Sequence, residues 1–257
     1  MSTPLLEAVG LVKHYGHIEA LRGADFTVYP GEIVALLGDN GAGKSSLIKA
    51  ICGVIQPDSG QIRFEGKQVN MSSPLVARKL GIETVFQDLA LAPDLDPAGN
   101  IFLGQEILYG GILGKLGFLN KREMHRRTEE AFARLGVGIQ DSKATVVNMS
   151  GGQRQGIAVA RSMIWASKII LMDEPTAALG VVQSRRVSDL IRRVKAEGIA
   201  IVLVSHNLPF VFEIADRIEV MRLGKRVGRF QVSEASADEV LDVMTGLKVQ
   251  NEQEALL

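Results

Sequence analysis

Among 257 residues the chain has one cysteine, one tryptophan and three tyrosines. Cys52 alone cannot form an internal disulfide, and a reducing compartment is the simpler setting. It falls within the helix expected after a glycine-rich loop, which suits a small core residue. Net charge is also missing: 29 lysines and arginines balance 29 aspartates and glutamates. That balance removes the bulk electrostatic argument for a nucleic-acid partner, and none is expected. No uncharged apolar run reaches the ~18 residues that span a bilayer. The nearest, Ile101 to Leu119, carries Glu106, Lys115 and five glycines. Met1 to Pro4 is short and polar and Glu7 follows, so no signal peptide is read there. The expectation is a soluble polypeptide whose membrane association comes through a partner. Repeats and low-complexity tracts are lacking too.

What is present is enough apolar residue, 46%, for a substantial core of one or two domains. Leu5 to Tyr15 and Ala24 to Tyr29 have strand-like content, separated by turn signals at Gly16 and Gly23. Glu32 to Leu37 is a short apolar run ending at Gly38, with a helix expected from Gly43 to Cys52. Pro57 to Gly60 reads as a turn before a strand from Gln61 to Glu65. Thus a small β-rich layer stands beside a central strand. The character changes over 88–149, where Asn120 to Gly136 reads as an amphipathic helix with Met124, Ala131, Phe132 and Leu135 on one side. Its charged remainder fits a solvated face. Within the same region Ile107 to Leu119 is apolar and glycine-rich, which reads first as a buried loop.

Strand-like runs return at Glu83 to Phe86, Lys168 to Met172 and Ile199 to Val204, the last two flanking a helix at Gln183 to Glu197. Asp216 to Met221 and Lys225 to Phe230 close the sheet, and Ala235 to Thr245 forms a last helix. Gln250 to Leu257 is expected to fray. The fold class is therefore α/β: a core from 1–87 and 150–246 that includes the β-rich amino-terminal layer, an inserted α-helical subdomain at 88–149, and a tail at 247–257.

Two motifs carry chemistry. Gly38-Asp39-Asn40-Gly41-Ala42-Gly43-Lys44-Ser45, followed by Ser46, stands between strand and helix, the context a phosphate-binding loop needs. Glycines let the backbone wrap closely and aim several N–H groups at a triphosphate. Lys44 reaches the β/γ-phosphates, Ser45 ligates Mg²⁺, and the helix presents the positive end of its dipole. The second motif, Ile169 to Glu174, is an apolar strand ending in two carboxylates. Asp173 can hold Mg²⁺, and Glu174 can orient and deprotonate an attacking water. Pro175 ends the strand.

Met149-Ser150-Gly151-Gly152-Gln153 narrows the field. Ser150 is an N-cap residue, and the glycines let amides approach a phosphate before a helix from Gln153 onward. With the two motifs upstream and downstream of it, the chain resembles the ATP-binding subunits of ABC transporters over nearly its whole length. The resemblance implies a P-loop ABC-ATPase fold, ATP and Mg²⁺ as ligands, and a dimer in which Ser150, Gly151, Gly152 and Gln153 complete the site of the opposite subunit. It implies that Tyr15 stacks on adenine, that Gln87 links Mg²⁺ and water to the transporter contact, and that His206 senses the γ-phosphate. Glu174, His206, Gln87 and Lys44 are then the catalytic group, with Ser45, Gln87 and Asp173 on the metal.

The family leucine before the signature is Met149 here. Where the family has aspartate at the end of Pro-Thr-Ser-Ala-Leu-Asp, this chain has Gly180 after Thr176-Ala177-Ala178-Leu179. That substitution implies weaker or differently timed coupling between two ATP sites. The same run, with Leu95 to Gly104, resembles the monosaccharide importer branch, in its single-ATPase-domain form similar to the fructose type. The implied partners are integral membrane permease subunits, a second ATPase chain (identical or paired) and, indirectly, a periplasmic sugar-binding protein. The implied place is the cytoplasmic face of the inner membrane. On that resemblance Ile107 to Leu119 becomes a surface for a permease coupling helix. An exporter or other-solute importer is the alternative, and a neighbouring gene for a periplasmic binding protein discriminates against export.

Overall fold

The computed structural model of the chain describes residues 3–86, 88–139, 141–177 and 179–250. Two long strands open it, β1 (Leu6–Tyr15) and β2 (Ile18–Val28), before β3 (Ile33–Leu37) and helix α1 (Lys44–Ile51). Strands β4 (Ser59–Phe64) and β5 (Lys67–Val69), helix α2 (Pro74–Lys79) and strand β6 (Ile82–Val85) follow. A helical stretch comes next: α3 (Pro97–Ile101), α4 (Gly111–Lys115), α5 (Lys121–Leu135) and α6 (Gly151–Trp165). The chain then alternates through β7 (Ile169–Asp173), α7 (Val181–Ala196), β8 (Ala200–Val204) and α8 (Leu208–Ile214). It closes with β9 (Arg217–Arg222), β10 (Lys225–Gln231) and α9 (Ala237–Thr245).

One sheet of four antiparallel strands has the order β2-β1-β4-β5, and a second of six has β10-β9-β3-β8-β7-β6. In the second, β6, β7, β8, β3 and β9 run parallel and only β10 is antiparallel. Every residue of β3 and β8 is buried. Parallel strands covered on both faces need apolar residues throughout, which is why these segments read as unbroken runs. Ile33, Ala35 and Leu37 face the helical side with Ile170, Met172, Ile201 and Leu203. Val34 and Leu36 face the other side, where α1 buries Leu47, Ile48, Ala50 and Ile51 between the two sheets. Cys52 is buried there as expected, and burial pushes its thiol up.

A buried ionic network ties the amino-terminal sheet to this core. Glu219 on β9 is fully buried and receives Arg217, Arg229 at 2.9 Å and Arg226 at 3.5 Å. Arg217 also pairs with Glu32 at 2.7 Å and donates to the Thr27 carbonyl of β2 at 2.7 Å. No sequence pattern announces this cluster, because members such as Thr27 and Arg229 stand 202 positions apart and in different sheets.

In the helical stretch α5 has the caps its sequence offers. Asn120 accepts from Glu123 N–H at 3.1 Å, and Gly136 ends the helix in the left-handed region. Its outer face is an ion-paired ladder of Glu123, Arg126, Arg127 and Glu130, the solvated face expected. Asn100, fully buried on α3, accepts from Ala92 N–H at 2.7 Å and donates to the carbonyls of Ala92, Leu95 and Asp96. One side chain thus shapes the loop preceding α3. Helix α6 packs on α3 and α5 as well as on α7 and β6, so it belongs as much to the helical insertion as to the core.

The segment 107–119 corrects the buried-loop expectation. Tyr109 N–H bonds Phe118 carbonyl at 3.0 Å and Asn120 N–H bonds Ile107 carbonyl at 2.6 Å. This hairpin satisfies its backbone internally and needs no covering neighbour. Ile107 packs against the core, but the other apolar side chains face outward, with Ile112 78% and Leu116 68% exposed.

Candidate functional site

The phosphate-loop residues lie where strand β3 meets α1, and their conformation explains their composition. Gly38 has φ 148°, and a Cβ there would lie 2.2 Å from the Met221 carbonyl oxygen. Gly43 has φ 102°, and a Cβ would lie 2.6 Å from the Ala20 carbonyl oxygen. Both positions require glycine on two counts. Gly43 is the N-cap of α1 and supplies no side-chain acceptor, so the first amides of α1 keep their donors for an anion. Lys44 Nζ bridges the loop, donating to the carbonyls of Gly38 at 2.6 Å and Asp39 at 3.0 Å. Burial lowers its pKa, opposed by Glu174, Asp173 and Asp39. Asp39, Asn40, Gly41 and Ser45 are exposed, Ala42 is buried, and Ser46 is half-buried.

Asp173 ends β7 beside Val204 of β8, and Glu174 begins the turn beyond it. Glu174 has φ 50°, a left-handed conformation that costs energy for a residue with a Cβ. Its N–H bonds the Val204 carbonyl at 2.9 Å and its carbonyl accepts from Ala177 N–H at 3.0 Å. The turn is held from both sides, which lets the strain persist. His206 Nδ1 lies 2.7 Å from Glu174 Oε1, with side chains 75% and 16% exposed respectively. The two expected catalytic side chains therefore meet directly.

Burial first, and then the Glu174 charge, push the Asp173 carboxyl above its ordinary value of 3.8. Protonation of Asp173 thus favours the fold. That contribution is complete below the ordinary value and is lost as pH rises through the raised one. Asp173→Asn is expected to raise the melting temperature of the nucleotide-free chain at neutral pH, with a smaller gain near pH 4. Calorimetry at the two pH values checks this; an unchanged or lower melting temperature at neutral pH counts against it.

Tyr15 closes β1 opposite Ile18 and is 44% exposed, with Lys13 Nζ 5.9 Å from its ring centroid. Ile18 is two residues from Ala20, whose carbonyl abuts Gly43, so the hairpin tip stands within about 10 Å of the loop by strand geometry. Gln87 lies outside the described residues, as does Ala178.

Ser150 caps α6 with a full capping box. Its hydroxyl accepts from Gln153 N–H at 3.3 Å and its N–H donates to Gln153 Oε1 at 2.9 Å. The helix starts at Gly151, two residues before the sequence expectation, because the box draws both glycines into its first turn. Those glycines admit α7 and the turn before it: a Cβ on Gly151 would meet Leu179 at 3.3 Å, and one on Gly152 would meet Gln183 at 3.2 Å. Among the described residues no hydrogen bond joins Ser150–Gln153 to 38–46. The phosphate loop, Asp173, Glu174 and His206 form one group, and the capped helix end is another.

Nothing in the sequence pattern singles out Arg161. From α6 it donates to the Leu89 carbonyl at 2.9 Å and the Ala90 carbonyl at 3.0 Å, linking the helix that carries Ser150–Gln153 to the stretch following Gln87. Its signal in the sequence is only a cation within a helix of buried small residues.

A glycine-rich loop between a central parallel strand and a helix, with two carboxylates at the end of the strand next but one, defines a P-loop nucleoside triphosphatase. The sequence profile of the ABC transporter family matches residues 21–177. The chain is 52% identical to the fructose import ATP-binding protein FrcA of Rhizobium meliloti, over 95% of both chains. It is 46% identical to the xylose/arabinose import ATP-binding protein XylG of Sulfolobus acidocaldarius over 94% of both. It matches a ribose import ATP-binding protein RbsA of Yersinia pestis at 39% identity but spans only 46% of its length. In structure it resembles the ADP conformation of an ATP-binding cassette of an ABC transporter (TM-score 0.80, 25% identity, 96% and 97% of the chains). The chain belongs to the ABC transporter family and is an ABC-type, ATP-hydrolysing cassette. Among the described residues no helix is long and apolar enough to cross a membrane.

Proposed function

We propose that this cassette energises import of a monosaccharide through a separate membrane permease, from the cytoplasmic face of the inner membrane. The observation that carries the proposal is the 52% identity over 95% of both chains with a fructose import ATP-binding protein. Lys44 and the α1 amides hold the β/γ-phosphates, and Tyr15 lies under adenine. Ser45 and Asp173, with Gln87, would hold Mg²⁺, which supplies charge neutralisation on the phosphates. The fit is chemical: a carboxylate kept above its ordinary pKa by burial and by Glu174 gains from a nearby cation. A Mg²⁺ ion that takes most of its shell from phosphates and water needs only one or two protein ligands of this kind.

Glu174 accepts the proton of the attacking water, and His206, bonded to it, holds the carboxylate and reaches the terminal phosphate. Ser150 to Gln153 serves the site of a second cassette, identical or paired, so ATP is the ligand that closes the dimer. The exposed hairpin 107–119 docks on the permease, and a periplasmic sugar-binding protein delivers the solute on the far side.

The test is transport. In cells whose only copy carries Lys44→Ala, accumulation of one labelled monosaccharide among fructose, xylose and ribose should be lost. Unaltered uptake of all three would reject monosaccharide import. Gly180, the N-cap of α7, has φ −73°, and a Cβ there meets only the flexible Gln183 side chain at 2.8 Å. Gly180→Asp is therefore accommodated and adds a few tenths of a kcal/mol as a cap. Its expected effect is a raised ATPase rate or Hill coefficient; no change in either would show that Gly180 does not weaken coupling.

A further inference from the structure

Behind the end of α6 lies a cleft of about 520 Å³, set between the segment following α5, the first two turns of α6 and one face of α7. Its size is that of a small-molecule site. The α7 side is a stripe of Arg186, Leu190 and Arg193, at helical positions i, i+4 and i+7. The two arginines are separated by about 10 Å along the axis, close enough for both side chains to reach one group held between them. Val137 and Ile139 supply apolar wall opposite. Of the other α7 cations, Arg192 pairs with Asp189 at 3.3 Å and Glu213 at 2.8 Å, and Lys195 with Asp216 at 2.6 Å. Arg186 and Arg193 have no carboxylate within 4 Å among the described residues. Asp189 also lines the cleft and pairs at 3.3 Å with Arg192, which it shares with Glu213.

The exposed Arg193 guanidinium lies against bare backbone, since a Cβ on Gly136 would fall 1.7 Å from its Nη1. Val137 rests on Gly156 in the same way, at 2.8 Å from an added Cβ. Gly152 and Gln153 form part of the cleft wall. We propose that this cleft binds a small organic phosphate, its phosphoryl group between Arg186 and Arg193 and its apolar body against Val137, Ile139 and Leu190. Guanidinium forks match phosphate geometry, and an apolar body accounts for the aliphatic wall. An occupant bridges 136–139, α6 and α7, so it restrains the helix end that carries Ser150–Gln153. The cleft is distinct from the phosphate loop and would regulate turnover without competing with ATP.

Phenyl phosphate is the probe, with benzoate and benzyl alcohol as anionic and neutral comparisons, in ligand-observed NMR on the full chain. Phenyl phosphate should bind in the presence of saturating ATP, and equally to Lys44→Ala. Benzoate should bind more weakly and benzyl alcohol not at all. Arg186→Gln/Arg193→Gln should weaken phenyl phosphate at least tenfold. Displacement by ATP in the wild-type chain, a reading that needs no variant to fold, would overturn the proposal. So would unchanged affinity in the double variant, or benzyl alcohol binding as well as the phosphate. At saturating phenyl phosphate the maximal ATPase rate should fall with the KM for ATP unchanged; an unaltered rate would overturn the regulatory part.

Discussion

Glu174→Gln is expected to lower ATP turnover by roughly 10²- to 10⁴-fold, the usual contribution of a positioned general base. ATP affinity should change little. The substitution is isosteric, and the φ of 50° and the backbone bond to Val204 do not depend on the carboxylate. The amide oxygen introduced by the substitution can still accept from His206 Nδ1, which lies 2.7 Å from the carboxylate oxygen it replaces. What disappears is the ability to take a proton. Phosphate release measured against nucleotide binding separates the two effects. Turnover within threefold of the wild-type rate would remove Glu174 from the role assigned to it.

The second large effect concerns stability. Glu219→Gln should destabilise the fold by about 3–5 kcal/mol, the range for breaking one partner out of a buried ion cluster. Glu219 is fully buried among three guanidinium groups, those of Arg217, Arg226 and Arg229. Without its charge they share only Glu32 on the Arg217 side. For a chain of this size the loss corresponds to a melting temperature lower by roughly 6–20 °C. Replacing Glu219 and Arg217 together by Leu and Met should cost less than the single change: a guanidinium leaves with the carboxylate, so the net charge of the cluster is unchanged, while Arg226, Arg229 and Glu32 each lose one partner. Thermal unfolding of the three proteins decides this. A single-variant loss below about 1 kcal/mol would show that the cluster contributes little.

The nucleotide side of this protein was legible in the sequence because its chemistry is local. Gly38, Gly43, Lys44 and Ser45 follow one strand without interruption, and Asp173 and Glu174 end another, so spacing alone places them. Strand β8 ends at Val204, two residues from His206, and parallel pairing with β7 brings His206 to Glu174. The long helices α5, α7 and α9 were readable from periodicity and caps. Short pieces were not: α2, α3, α4 and α8 have five to seven residues each, too few for a period to show. The segment 107–119 misled because apolar composition reports burial only on average. Here a self-bonded hairpin turns all of those side chains but Ile107 outward. The Glu219 cluster and the Arg161 bonds were invisible because their partners are distant in sequence and meet only once both sheets and the helical insertion are packed.

The central claim is that one chain holds half a catalytic site and that Ser150 to Gln153 completes the site of another. Light scattering of Glu174→Gln with Mg²⁺ and ATP tests it most directly. The expected result is a dimer that forms with ATP and is lost when ATP is removed. Substituting Ser150→Arg should abolish that dimer, since the capped end of α6 would then meet the opposite nucleotide with a bulky side chain. A chain that remains monomeric at saturating ATP, or dimerises equally with and without nucleotide, would contradict the shared-site account.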